Sequence, residues 1–467
     1  MSQNIQAEIS DNISDNISDD ISDEVFEKVS EKAVSGHRHL FTETTSFVST
    51  RNACKLCSPL GACIVMRGIE GCIPLIHGSQ GCSTYIRRYG ISHFREPIDI
   101  ASSNFVEATA IFGGRENLFR ALDNVTKQYQ PAAIGITSTC LSETIGENVP
   151  MYLHEYKINR TKLPVILYAS TPSYRGTHLD GYHEAIYAAI ESVTEKNIVS
   201  QKTERINLIS GFVSASDLRE LHEILVSYQI PYTLLPDYSE SLDGVAWEDY
   251  QKLPEGGTTI DDIAAMPEAL GTIYLSTSVH SDRNGAIFLR DHFGVPATNI
   301  NLPIGIENTD IFFETLNQIT GQKTPIVWEK HRGRLIDAYF DGHKYCSGKR
   351  AILYGDADFV VAMKSFLEEI GVIPVLAADG SEMDFETILE TSDGLNPDFV
   401  IGNSKGIYLS RQLGIPLVRC GFPIHDRIGG HRILHLGYRG TLNLFERICN
   451  TLMEAQQNAA PSGWTYI

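Results

Sequence analysis

From about residue 45 onward, short apolar runs alternate with stretches of helical periodicity. Ala133-Ile134-Gly135-Ile136-Thr137 and Val165-Ile166-Leu167-Tyr168-Ala169 are short and rich in branched side chains, which predicts buried strands. Ile206-Asn207-Leu208-Ile209, Thr272-Ile273-Tyr274-Leu275, Ala351-Ile352-Leu353-Tyr354, Phe399-Val400-Ile401 and Pro416-Leu417-Val418 read the same way. Helical patterns fall between them, from Ser216 to Tyr228 and from Asp358 to Ile370. Strand–helix alternation of this kind implies parallel sheets covered by helices on both faces.

The alternation falls into three groups, 46–200, 201–345 and 346–467, the last closing on a helix. Each has the size of one doubly wound domain. The expected fold is therefore α/β, with three doubly wound parallel-sheet domains. Ligands in such sheets sit beyond the carboxyl ends of the strands, so the loops after the strands are where chemistry is expected.

Residues 1–45 break the pattern. Ile9-Ser10-Asp11-Asn12 is followed by three near copies, ending at Glu24. Ser and Asp are poor helix formers, and the segment is acidic, so it reads as a disordered tail.

Composition narrows the function. The chain has 467 residues, 42% hydrophobic and 21% charged, with a net charge of -20. That balance argues against a nucleic-acid or anionic-membrane surface, both of which need clustered Lys and Arg. No apolar run approaches the roughly 18 residues of a membrane span, and no signal peptide opens the chain. A cytoplasmic location is expected. Its nine Cys are then not a disulfide framework.

Three of those Cys stand out. Cys57 lies in Cys54-Lys55-Leu56-Cys57-Ser58-Pro59-Leu60-Gly61. A CxxC pair can bind zinc, exchange disulfides or ligate an iron–sulfur cluster. No second CxxC completes a four-Cys zinc site. Cys82 sits in His77-Gly78-Ser79-Gln80-Gly81-Cys82, where glycines permit close approach of the backbone to a bound group. Cys140 follows a predicted strand and opens Ser142-Glu143, a helix start whose amides favour an anion. A four-iron cluster takes four thiolates or their substitutes. Three Cys on three loops are one short, a set that a partner chain can complete.

Cys63, Cys72, Cys346, Cys420 and Cys449 lie among apolar or helical neighbours and read as core residues. His77 and His93 stand near the ligand loops as potential hydrogen-bond donors, and His425, His431 and His435 form a C-terminal group. Gly355-Asp356-Ala357-Asp358 follows a strand and opens a helix, so Asp356 or Asp358 is expected to cap it. Walker A, GxGxxG and GxSxG patterns are missing from their required contexts.

At these loops the chain resembles the nitrogenase component 1 superfamily, on its β-type side. The resemblance spans about residues 50–450. It is carried by Cys57-Ser58-Pro59-Leu60-Gly61-Ala62, His77-Gly78-Ser79-Gln80-Gly81-Cys82, His93-Phe94-Arg95-Glu96-Pro97, Ile111-Phe112-Gly113-Gly114, Thr139-Cys140-Leu141-Ser142-Glu143, Thr171-Pro172-Ser173-Tyr174, Ile401-Gly402-Asn403-Ser404 and Gly421-Phe422-Pro423-Ile424. It implies an α2β2 heterotetramer with a paralogous α-type chain, served by the nitrogenase reductase (Fe protein). It also implies an iron–sulfur cluster shared with the partner subunit, either four-iron (4Fe-4S) or P-cluster-like (8Fe-7S). Cys57, Cys82 and Cys140 match its ligands, and Ser173 matches a Ser beside it.

Two β-type groups compete. The segment Leu235–Gly244, the motifs Ile428–His431 and Gly437–Gly440, and a short link from Ser404 to Pro416 resemble the NifN type. That type is the β-like half of a scaffold (with a NifE-like partner) on which the iron–molybdenum cofactor of nitrogen fixation matures, and it is the first expectation. The alternative is a catalytic β subunit with a NifD-like partner, or a nitrogenase-like reductase, whose P-cluster relays electrons. The intact Cys triad points that way, since some NifN chains keep only the Cys matching Cys82.

Overall fold

The computed structural model describes residues 51–158, 160–195, 202–247, 249 and 251–460. The acidic repeat lies outside them. The described strands form three four-stranded sheets with one shared strand order. The first contains β1 (Cys72–His77), β2 (Ala101–Ser102), β3 (Ala133–Ser138) and β4 (Val165–Ala169), in the order β2-β1-β3-β4. The second contains β5 (Ile206–Ile209), β6 (Tyr232–Leu235), β7 (Gly271–Tyr274) and β8 (Ala297–Asn299), in the order β6-β5-β7-β8. The third contains β9 (Arg350–Gly355), β10 (Ile373–Asp379), β11 (Phe399–Gly402) and β12 (Leu417–Arg419), in the order β10-β9-β11-β12. Every pairing is parallel. The expected fold class, three parallel-sheet α/β domains, is the one observed.

In each sheet the chain order reverses between the first and third strands. That reversal opens a crevice beyond the strand ends, the usual ligand position in open α/β sheets. In the first sheet β1 and β3 pair along their whole length, from Cys72 with Ala133 to His77 with Ser138. Their following loops therefore emerge side by side.

A continuous apolar core runs through all three sheets, and satellite clusters cover the far faces of the first and third. Its tightest contact is between the helices Ser58–Arg67 and His178–Thr194. A side chain at Gly61 would meet the His178 carbonyl oxygen at 1.7 Å, and one at Gly181 would meet the Ser58 carbonyl oxygen at 1.9 Å. Only glycine at both positions lets these helix starts cross so closely. The crossing holds Cys57, at the head of one helix, beside the loop that leads into the other. No described helix is long and apolar enough to cross a membrane.

Candidate functional site: three thiols at one sheet edge

The three singled-out Cys come together at the carboxyl edge of the first sheet, each at a helix N-terminus. Cys57 is the N-cap of Ser58–Arg67. Cys82 lies in the first turn of Gln80–Phe94, directly beyond β1. Cys140 is the first residue of Cys140–Thr144, directly beyond β3. Helix N-termini carry unpaired amides and partial positive charge, which favour anionic sulfur. Cys57 and Cys82 are half-buried and Cys140 is exposed, so the sulfurs line a face rather than fill a core.

Ser173, in the loop after β4, ties the group together. Its backbone N–H donates to Cys140 Sγ at 3.3 Å. Its hydroxyl accepts from the Ser58 N–H at 3.1 Å, capping the helix that Cys57's own side chain leaves uncapped. Burial pushes the Cys57 thiol up. The Ser173 side chain opposes that, and the nearby thiols of Cys140 and Cys82 add to it. Both of those thiols thus lie within electrostatic reach of Cys57. The Ser79 hydroxyl donates to Cys82 Sγ at 3.6 Å.

The β1 and β3 loops are locked to each other. The Thr139 hydroxyl donates to the His77 carbonyl at 3.2 Å. A side chain at Gly78 would strike Thr139 at 2.5 Å, so that glycine is required by the neighbouring loop. Gly81 differs: it is exposed, and a side chain there would meet nothing nearer than 3.7 Å. No described protein atom demands a glycine at 81, which suits a surface kept bare for a bound group or partner. Thr139 and Ser142 form a capping box that fixes the Cys140 turn.

Beneath the thiols lies a polar tie that sequence reading missed in part. His77, fully buried, bonds through Nδ1 to the Ser103 hydroxyl at 3.1 Å and through Nε2 to Glu147 at 3.0 Å. The second Glu147 oxygen accepts from the Gly114 N–H at 2.8 Å. Burial works against the charged Glu147 carboxylate, but His77 and the Gly114 amide outweigh it and hold the carboxyl below its usual value. His77 was legible as a neighbour of the ligand loop. Glu147 was not, because it arrives from 70 residues further along.

The other histidines are engaged elsewhere. His93 Nδ1 accepts from the Ile424 N–H, His425 bonds Ser92, His431 bonds Asp243, and His435 bonds Asp217. The C-terminal three therefore serve separate structural partners. Cys63, Cys72, Cys346, Cys420 and Cys449 are all buried, as expected of core residues. Asp356 caps the helix Ala357–Glu369, accepting from the Phe359 N–H.

The CxxC pair divides. Cys57 joins the triad, whereas Cys54 is buried and turns toward the third sheet, with Sγ 3.8 Å from the Phe422 carbonyl oxygen. Among the described residues, one group of metal-capable side chains has all its ligand atoms within 4.8 Å of one another, namely Cys54, His178 and Asp356.

Apolar side chains surround this face without cover. Leu141 and Tyr174, beside Cys140 and Ser173, are 39% and 57% exposed. Ile111 and Phe112 reach 74% and 86%, at the end of the short helix that leads to Gly114.

Known proteins resemble this chain along most of its length. The family model for nitrogenase component 1 type oxidoreductases matches residues 57–453. The nitrogenase molybdenum-iron protein β chain of Clostridium pasteurianum is 33% identical, over 86% of this chain and 93% of its own. That of Methanothermobacter thermautotrophicus is 36% identical, over 87% and 95%. A solved structure of nitrogenase Cp1 superposes with a TM-score of 0.85 at 31% identity, covering 93% of this chain and 100% of that one. The chain belongs to the nitrogenase component 1 type oxidoreductase family, and within it to the β-chain type.

Proposed function

We propose that this chain is a β-type subunit whose Cys57, Cys82 and Cys140 hold its share of a P-cluster-like iron–sulfur centre, at a face covered by a paralogous α-type chain. The observation that carries this reading is the convergence of all three thiols on one sheet edge, each at a helix N-terminus. When bound, such a centre supplies one-electron relay toward a cofactor in the partner. This chain's residues orient and tune it. The Ser173 amide and the Ser79 hydroxyl donate to ligand sulfurs, a contact that stabilises negative charge on them. The Gly78–Thr139 lock keeps the Cys82 and Cys140 loops in register. The uncovered side chains Ile111, Phe112, Leu141 and Tyr174 are the natural bed for the α-type partner in an α2β2 assembly.

The relatives named above are molybdenum-iron protein β chains, which favours a catalytic β subunit served by a nitrogenase reductase. The NifN-type scaffold is the second reading, and it rests on the segment after β6. There Asp243 pairs with Arg219, His431 and Arg432, so the NifN-like segment meets the NifN-like C-terminal motif at one carboxylate, while Asp237 pairs separately with His222. The deciding experiment gives the purified assembly a nitrogenase reductase and ATP. Reduction of substrate over many turnovers supports the catalytic subunit and rejects the scaffold. Release of a cofactor precursor to an apo acceptor, without turnover, rejects the catalytic subunit.

A further inference from the structure

The crevice of the third sheet carries a second, separate constellation. Asp356 follows β9 at the point where the strand order reverses, the position that the ligand loops occupy in the first sheet. Cys54 reaches it from the approach to the first helix, and His178 from the first turn of His178–Thr194. All three side chains are buried, with ligand atoms mutually within 4.8 Å.

His178 supplies an independent observation. It is 1% exposed, and neither Nδ1 nor Nε2 has a hydrogen-bond partner in the protein. Buried imidazole nitrogens are ordinarily satisfied, and a pair of orphans on one ring points to a bound species. Cys54 makes a long contact to the Phe422 carbonyl at 3.8 Å and lies beside the Asn403 side chain.

We propose that Cys54, His178 and Asp356 form a binding site for a single divalent transition metal of the zinc class, distinct from the interface thiols. Thiolate, imidazole and carboxylate are the zinc donor set, and a three-residue set leaves one position for water or a further carboxylate. Asp379, which lies level with Gly355 across β9 and β10, is the carboxylate at hand. The metal joins the first helix pair to the third sheet, a structural clasp that involves no electron transfer.

Burial disfavours the charged form of all three side chains, a cost that a bound cation would have to offset. Burial first, then the charge of Asp358, pushes the Asp356 carboxyl up to about 7. Burial lowers His178 to about 4, leaving the imidazole neutral and able to ligate. Burial also pushes the Cys54 thiol up, a shift that a coordinated cation reverses by binding the thiolate. Lys405 lies within electrostatic reach of Cys54, but burial disfavours its charged form.

The test uses the full-length chain, purified anaerobically with its partner, stripped with chelator, then equilibrated with zinc sulfate or cobalt(II) chloride and desalted. The expected result is one zinc per chain in wild type and in Cys82→Ala, together with a sulfur-to-cobalt charge-transfer band in the cobalt form. Cys54→Ala should lose the band and the zinc while keeping its iron and assembly size. Asp356→Asn keeps a capping side chain and so should fold, yet it should retain less zinc than wild type. Failure of wild type to retain either metal, or wild-type zinc retention in both Cys54→Ala and Asp356→Asn, overturns the assignment. Iron content is read in the same samples, so failure here is distinguishable from failure of the interface-cluster reading.

Discussion

Ser173 donates its backbone N–H to Cys140 Sγ at 3.3 Å while its hydroxyl accepts from the Ser58 N–H, joining the loop after β4 to the two helix starts that carry Cys140 and Cys57. One residue thus sets the distance between Cys140 and Cys57. Its two roles are chemically separable, because the amide serves the sulfur and the hydroxyl serves the helix.

Ser173→Ala keeps the amide and removes the cap. The expected outcome is a stability loss of about 1 kcal/mol, typical of a lost N-cap, with iron content unchanged. Thermal melting and iron analysis of the same preparation check both halves. A large iron loss would mean that the hydroxyl, not the amide, is the group the cluster needs.

Gly61→Ala places a methyl 1.7 Å from the His178 carbonyl oxygen, which neither helix can yield without moving. A loss of about 3 kcal/mol, the upper end of ordinary overpacking, is expected. Gly333→Ala, inside Ile326–Cys346 with nothing within 4 Å, should instead stabilise by up to about 1 kcal/mol. Denaturant midpoints of the two variants should therefore move in opposite directions.

Asp217 predicts a pH dependence. It accepts from the His435 and Leu436 amides at 2.6 and 3.0 Å, and from His435 Nδ1 at 2.8 Å. His435 Nε2 accepts from the Gly421 N–H, which leaves the proton on Nδ1. Burial opposes the charged form, but His435 and these amides hold the Asp217 carboxyl below its ordinary value of 3.8. A depressed carboxyl contributes stability above its unfolded value, and that contribution disappears as pH falls through the folded one. Asp217→Asn should flatten the acid limb of the stability curve. Asp217→Ala should cost about 3–5 kcal/mol at neutral pH by leaving buried donors unpaired. Urea titrations between neutral and acid pH give both values.

The strands that stood out in the sequence were those with branched apolar side chains and clear ends. Val165–Ala169 and Ile206–Ile209 coincide with β4 and β5. β1 was missed because Pro74 sits inside it, and proline ordinarily argues against a central strand. β2 pairs with β1 only at Leu75 and Ile76, so Pro74 lies outside the stretch bonded on both sides. β2 and β8 are too short to draw a pattern, and β10 carries a proline and ends on Asp379.

At the site, the glycines and small polar residues around Cys82 and the strand before Cys140 marked both loops. Local sequence could not show that Cys54 and Cys57, three residues apart, face different sheets. That separation depends on the crossing of two helices more than a hundred residues apart. The pairing of His77 with Glu147 was hidden for the same reason.

On the proposed reading, three thiols of this chain hold one shared iron–sulfur centre. Its most direct measurement is iron and acid-labile sulfide per chain in the anaerobically purified assembly. The samples are wild type, Cys82→Ala, the double variant Cys57→Ala/Cys140→Ala, and Cys63→Ala as a buried control. Cys82→Ala and the double variant should lose most of the iron and the brown absorbance, while Cys63→Ala should match wild type. Equal iron in wild type and Cys82→Ala would contradict it outright. Full iron in the double variant with loss only in Cys82→Ala would contradict the triad, leaving a single-thiol site of the scaffold kind.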